Sequence, residues 1–201
     1  ILVMFMKLLI IMMIMVMTMI LKKDIVTDDN PLLRKKSIDV SFPLSKEDEQ
    51  IIHDLIEYLD LSQDEATAKK YDLQPGVGIA APQIGILKKI FVVKAEDEKG
   101  ILHQYALVNP KILSHSVLNS YLQYGEGCLS VKGDHPGYVK RHYKIKMKAY
   151  DYLQKKEVVL NVKGYIAIIL QHEYDHLFGV LFYDHIDKNN PLTPIEGAIQ
   201  I

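Results

Sequence analysis

The sequence predicts an α+β domain in which antiparallel β-sheets pack around a central buried helix. Three observations predict it. Residues 165–178 contain no helix breaker, are apolar on nearly every side up to His172 and meet a C-capping glycine at Gly179, the pattern of a helix surrounded by protein. Tyr143, Ile145, Met147 and Ala149 alternate with His142, Lys144, Lys146 and Lys148, as in a strand with one wet face. Ile90-Phe91-Val92-Val93 and Tyr105-Ala106-Leu107-Val108 are short apolar runs separated by a charged turn at 96–100, which reads as a strand and its return.

In chain order, folded structure is expected from about Asp24. Asn30-Pro31 reads as an N-cap followed by proline at the first helical position of a short turn through Lys36. Ser45 followed by Asp48 is a variant capping box. Behind it Ile51, Ile52, Leu55, Ile56 and Leu59 recur at helical spacing, predicting an amphipathic helix that ends near Leu61. The polar stretch 62–70 is expected to be a connection with room for one helical turn. Pro110 is expected to end the second apolar run, because proline cannot donate to a strand ladder. A turn at Gln154-Lys155-Lys156 leads to Val158, Leu160 and Val162, completing a hairpin. Residues 180–183 look like a last strand.

The 201 residues suit one compact domain, and a formal net charge of −1 offers no bulk electrostatic case for binding nucleic acid or an anionic membrane. Cys128 is the single cysteine, so no internal disulfide is available; its use is packing, reactivity or metal ligation. Residues 1–21 are almost wholly apolar, broken only by Lys7 and Thr18, yet lack a basic leading region and a small-residue cleavage site. The expectation is that residues 1–16 reflect a start assigned too early, with a membrane anchor as the minority reading.

The densest chemistry lies on the predicted buried helix, in His172-Glu173-Tyr174-Asp175-His176. Residues four apart share a helical face, so both imidazoles can reach one ion. Glu173 is displaced by about 100°, close enough to touch a water on that ion without being a ligand. Two histidines and two acids in an apolar helix need strong compensation, and a metal supplies it. A catalytic site of this kind wants three protein ligands and one open position. Two candidates for the third ligand stand open at this point. Glu196 lies 20 residues beyond His176, but between Pro194 and Gly197, a poor helical setting. Cys128 lies in Gly125-Glu126-Gly127-Cys128-Leu129-Ser130, where flanking glycines allow close backbone approach. A third segment, Gly76-Val77-Gly78-Ile79-Ala80-Ala81-Pro82-Gln83, is rich in small residues; it lacks the lysine and hydroxyl residue of a phosphate loop.

These three segments, 76–83, 126–130 and 171–176, resemble in content and order the signature motifs of peptide deformylases. The resemblance covers residues 17–201, which it implies form a deformylase-like catalytic domain. The stretch 62–76 and the sequence Phe182-Tyr183-Asp184-His185-Ile186 are similar to the subclass typical of low-GC Gram-positive bacteria and their relatives. Phe178 departs from the asparagine expected at its position.

The resemblance implies removal of the formyl group from the N-terminal formyl-methionine of newly made polypeptides. Cys128, His172 and His176 would bind one divalent metal, Fe2+ natively, with Zn2+, Ni2+ or Co2+ able to occupy the same site. Water activated by that metal would attack the formyl carbon, with Glu173 as general base and then general acid. The Gln83 amide and the Leu129 N–H would stabilise the oxyanion. Val77, Gly78, Tyr124, Gly127, Tyr165, Ile168 and Ile169 would bind substrate, while Glu126, Arg141 and Asp175 would support the ligands from behind. A cytoplasmic monomer acting on nascent peptides near the ribosome is implied, with no nucleic-acid or membrane partner. Two other readings stand beside it: a zinc endopeptidase using Glu196, and a non-catalytic metal-binding relative.

Overall fold

The computed structural model describes residues 19–201; the expected extension 1–16 and the expected start at 17 lie outside the described residues. The first helix, α1 (Lys46–Gln63), is opened by the predicted capping box: Ser45 Oγ accepts from the Asp48 N–H at 3.1 Å, and the Asp48 carboxylate accepts from the Ser45 N–H at 3.2 Å. It runs two residues past the expected end because buried Ser62 turns its hydroxyl back onto the Leu59 carbonyl at 3.3 Å. The stretch expected to be a connection is then mostly helical. Asp64 caps α2 (Glu65–Tyr71) by accepting from the Thr67 N–H at 2.9 Å, and Asp72 ends it in a left-handed conformation. The Asn30 cap forms as predicted over a single 3-10 turn, Pro31–Arg34.

The strands are β1 (Gly78–Ala80), β2 (Ile90–Glu96), β3 (Leu102–His115), β4 (Asn119–Tyr121), β5 (Arg141–His142), β6 (Lys144–Asp151), β7 (Lys156–Lys163) and β8 (Ile199–Gln200). Five of them form an antiparallel sheet in the order β1-β2-β3-β6-β7. Pro110 does not end β3 as expected. The register shifts between Val108 and Lys111, so proline falls where the ladder needs no donor. Asn109 makes the bend in a left-handed conformation, and its amide clasps the Val40 N–H and carbonyl at 2.8 Å each.

The alternation in β6 is met: Ile145, Met147 and Ala149 are buried and the intervening lysines exposed. One sheet face packs on α1, with Ile52, Leu55 and Leu59 against Ile90, Val92, Ala106 and Val108. The other face carries Phe91, Val93, Leu107, Ile145 and Met147 against Ile166, Ala167 and Leu170 of the long buried helix α3 (Gly164–His176). Burying an isoleucine or leucine there contributes about 1.5–3 kcal/mol, so the core holds α3 in place before any site is considered. A smaller sheet, β5-β4-β8, closes the far side of α3. Its β4–β8 pair is parallel, an exception to the antiparallel pairing expected throughout.

Residues 180–183 are not a strand. The chain turns through a 3-10 segment, Phe182–His185, because the Asp184 carboxylate accepts from the Leu181 N–H at 2.8 Å and closes the turn locally. The last strand is instead β8. Upstream of this turn Gly179 has φ 74°, and a Cβ there would lie 2.3 Å from the Arg34 carbonyl oxygen. Gly179→Ala is therefore expected to cost at least ~2 kcal/mol, from a strained dihedral and a backbone clash together. The measurement is the urea midpoint at constant slope; an unmoved midpoint would mean that the two backbones part freely.

Candidate metal centre

The last two turns of α3 carry His172 and His176 on one face, and the loop after β4 brings Cys128 to them. One donor atom from each of Cys128, His172 and His176 lies within 4.8 Å of the others. The Cys128 Sγ to His176 Nε2 separation is 3.3 Å. Glu196, the rival third ligand, is exposed and outside this group.

His172 is oriented from behind. His172 Nδ1 donates to Glu126 Oε2 at 2.8 Å, which leaves Nε2 as the ring's free donor atom. Arg141 forks onto the same carboxylate, Nε to Oε1 at 2.8 Å and Nη2 to Oε2 at 2.9 Å, with both side chains only 3% exposed. Arg141 Nη1 also donates to Asp175. Glu126 and Arg141 thus form an ion pair that is buried rather than on the surface. Burial alone would raise the Glu126 carboxyl, but the hydrogen bonds and charge of Arg141, and then His172, outweigh it and hold it at about 2. Gln171 fastens this strand to the helix: its amide accepts from the His142 N–H at 3.0 Å and donates to the His142 carbonyl at 2.9 Å.

Of the four buried side-chain atoms that have no hydrogen-bond partner among the described residues, two lie here, Glu173 Oε2 and His176 Nδ1; the others are the hydroxyls of Ser37 and Ser120. Burial drives the His176 imidazole well below its ordinary range, with the neighbouring positive charges of His172 and Arg141 adding to it, so the ring is neutral as a ligand must be. His172 moves the other way: burial opposes its charge, but hydrogen bonds to Cys128 and Glu126 win. A sulfur and two imidazoles that close together match the donor set and reach of a four-coordinate first-row dication with one position to spare. The residues present fit a metal.

Glu173 stands beside this trio with its carboxyl raised to about 7, chiefly by burial. It fits only because β1 places a glycine opposite: a Cβ on Gly78 would lie 2.4 Å from Glu173 Oε1. The Gln83 amide is held by its oxygen, which accepts from the Ala80 N–H at 2.8 Å. Its nitrogen points to Ser130 Oγ at 3.2 Å and Cys128 Sγ at 3.5 Å.

These groups open onto a cavity of about 1060 Å³. Val77, Gly78, Gly127, Leu129, Tyr165, Ile168 and Ile169 line it together with Gln83 and Glu173. Tyr124 does not: it is 93% exposed and lies outside the lining, because Gly125, at φ 75°, turns the chain between it and the ligand loop. The sequence reading missed Leu122 and the wall formed by the end of α1, by α2 and by the residues just after it, including Gln63, Ala68 and Leu73. The Asp64–Thr67 cap was the available signal for that wall.

An H-E-x-x-H helix, a cysteine as third ligand and a buried carboxylate in an apolar cleft together define a metal-dependent hydrolase. Comparison with known proteins narrows the class. The family model described as polypeptide deformylase matches residues 22–191. The peptide deformylase of Staphylococcus epidermidis is 50% identical over 184 residues, covering 91% of this chain and all of the relative. Peptide deformylase 2 of Bacillus subtilis is 50% identical over 183 residues, covering 91% and 99%. Among solved structures, peptide deformylase from Ehrlichia chaffeensis aligns with a TM-score of 0.65 at 30% identity, over 83% of this chain and 89% of that one. This chain belongs to the peptide deformylase family.

Proposed function

We propose that this protein removes the formyl group from the N-terminal formyl-methionine of newly made polypeptides. The observation that carries the proposal is the convergence of Cys128, His172 and His176 beside Glu173 at the floor of an apolar cleft. A divalent metal held by these three groups supplies a Lewis acid and makes water nucleophilic near neutral pH. Glu173 takes the proton from the attacking water and delivers it to the departing amine. Its raised carboxyl suits both directions of transfer, and the charge of a bound dication would draw it back down. The Gln83 amide N–H and the Leu129 backbone N–H donate to the oxygen that turns negative as the formyl carbon becomes tetrahedral. Tyr165, Ile168 and Ile169 enclose the methionine side chain, and the backbone at Val77, Gly78 and Gly127 pairs with the extended peptide as an added strand. Glu126, Arg141 and Asp175 hold the ligands in place from behind.

A thiolate with two imidazoles favours a borderline dication, and Fe2+ is the proposed native metal, with Zn2+, Ni2+ and Co2+ fitting the same donors. The catalytic domain is taken as residues 17–201, working as a cytoplasmic monomer on nascent chains near the ribosome, with no nucleic-acid or membrane partner. Among the described residues no helix is long and apolar enough to cross a membrane. The test is formate release from a formyl-Met-Ala peptide by protein purified without oxygen, with metal analysis of the same sample. About one metal per chain and steady turnover are expected from a site with a single set of three ligands. Cleavage of internal peptide bonds without formate release would overturn the proposal in favour of an endopeptidase.

A further inference from the structure

A continuous chain of side chains runs from the surface to the back of His172, and its outer end is a residue with no place in the chemistry above. His185, 36% exposed, donates from Nε2 to Asp175 Oδ2 at 2.8 Å. The same Asp175 oxygen accepts from Arg141 Nη1; Arg141 forks onto Glu126; and Glu126 accepts from His172 Nδ1. The turn Phe182–His185 reaches His172 a second way, because the Phe182 ring lies nearly parallel to the imidazole, at 19° and 6.1 Å between centroids. One short turn therefore touches this ligand on its face and, through three other residues, on its Nδ1 edge.

The turn is itself anchored. Arg34, from the 3-10 segment Pro31–Arg34, pairs with Asp184 and donates to the Tyr183 hydroxyl at 2.9 Å. His135 stacks on Tyr183 at 4.5 Å. His185 is thus presented to Asp175 by a fixed scaffold.

We propose that His185 is a positioning residue of the metal centre. By holding the Asp175 carboxylate it fixes the outer edge of the Arg141 guanidinium, and so the Glu126 carboxylate that orients His172. The inference rests on the metal-centre reading above. The physical argument is about freedom. Asp175 is 20% exposed, and without the His185 N–H its carboxylate can swing toward water. The planar guanidinium would then be held on one edge only. A polar contact as exposed as His185–Asp175 adds little to global stability. Its loss should therefore show at the metal and not in unfolding.

The experiment loads wild type, His185→Ala and His185→Gln with Co2+ and follows transfer of the metal to a chromogenic chelator, with the Co2+ absorption spectrum and kcat and KM on a formyl-Met peptide alongside. Removal of such an outer partner typically weakens metal binding by about 10–100-fold. His185→Ala is expected to release metal about 10-fold faster, with an altered Co2+ spectrum, lower kcat, unchanged KM and an unchanged urea midpoint for the metal-free protein. His185→Gln, whose amide N–H can reach Asp175, is expected to restore the release rate, the spectrum and kcat. Wild-type release from His185→Ala, release that accelerates only together with a falling urea midpoint, or failure of the glutamine variant to restore it would each overturn the inference. Wild-type protein that takes up no metal would instead overturn the metal-centre reading itself, and this inference with it.

Discussion

Glu173→Gln is expected to lower kcat by about 10³–10⁴-fold while metal content stays at the wild-type level. Proton transfer by a placed side chain is worth roughly 10²–10⁴ in rate, and the upper part of that range applies where one group serves both proton transfers. Glutamine keeps the volume of the carboxylate but cannot take up the proton. Because Glu173 lies outside the ligand trio, the amide removes no donor from the metal. The assay is formate release with metal analysis on the same preparation; unchanged turnover would remove Glu173 from the mechanism.

The same substitution has a signature in the metal-free protein. The folded-state carboxyl is raised to about 7 from an ordinary 4.5, so the folded chain holds a proton that the unfolded chain has already lost. Metal-free wild type should accordingly lose stability as pH rises from about 4.5 to 7, by at most ~3 kcal/mol. The glutamine variant should lack that decline. Urea midpoints of the two proteins across this interval give the comparison, and parallel curves would contradict the burial argument.

Gly78→Ala is expected to be nearly as damaging, lowering kcat by about 10²–10³-fold, although Gly78 contributes no side chain. Its Cα faces Glu173 so closely that a methyl group would stand 2.4 Å from Oε1 and 2.8 Å from Cγ. Glu173 is only 4% exposed, with Ile169 and Leu170 buried alongside it in α3, so its side chain has little room to yield. A displacement of about 1 Å at a reacting group can cost on the order of 10²-fold in rate. Metal content should be unchanged, because Gly78 is remote from the ligand donors in sequence and supplies none. Full activity in the alanine variant, measured as formate release, would show that the carboxylate sits elsewhere during turnover.

Much of the fold was legible because it follows from local rules. The Ser45 box, the Asn30-Pro31 start and the alternation of β6 each depend on residues within one turn or one strand, and each formed where it was read. The errors lie where distant contacts decide. Pro110 is tolerated because β3 shifts register against β6, which no local pattern records. Residues 180–183 have strand-like composition, yet Asp184 closes them into a turn that Arg34 then anchors. Tyr124 was placed in the cleft only as the resemblance implied, and the turn at Gly125 sends it to solvent.

The chemistry divides along the same line. The sequence by itself determined that two imidazoles share one face of a buried helix with a carboxylate beside them, because helical periodicity is a property of neighbouring residues. It also determined, through three motifs in order, the family to which the chain belongs. Only the tertiary structure brought Cys128 to the two imidazoles and left Glu196 outside, set a glycine against the Glu173 carboxylate, and joined His185 to His172 through three hydrogen-bonded side chains. The reason is reach: such contacts span dozens of residues, and their geometry is set by how the sheet and α3 pack, which no single stretch of sequence specifies.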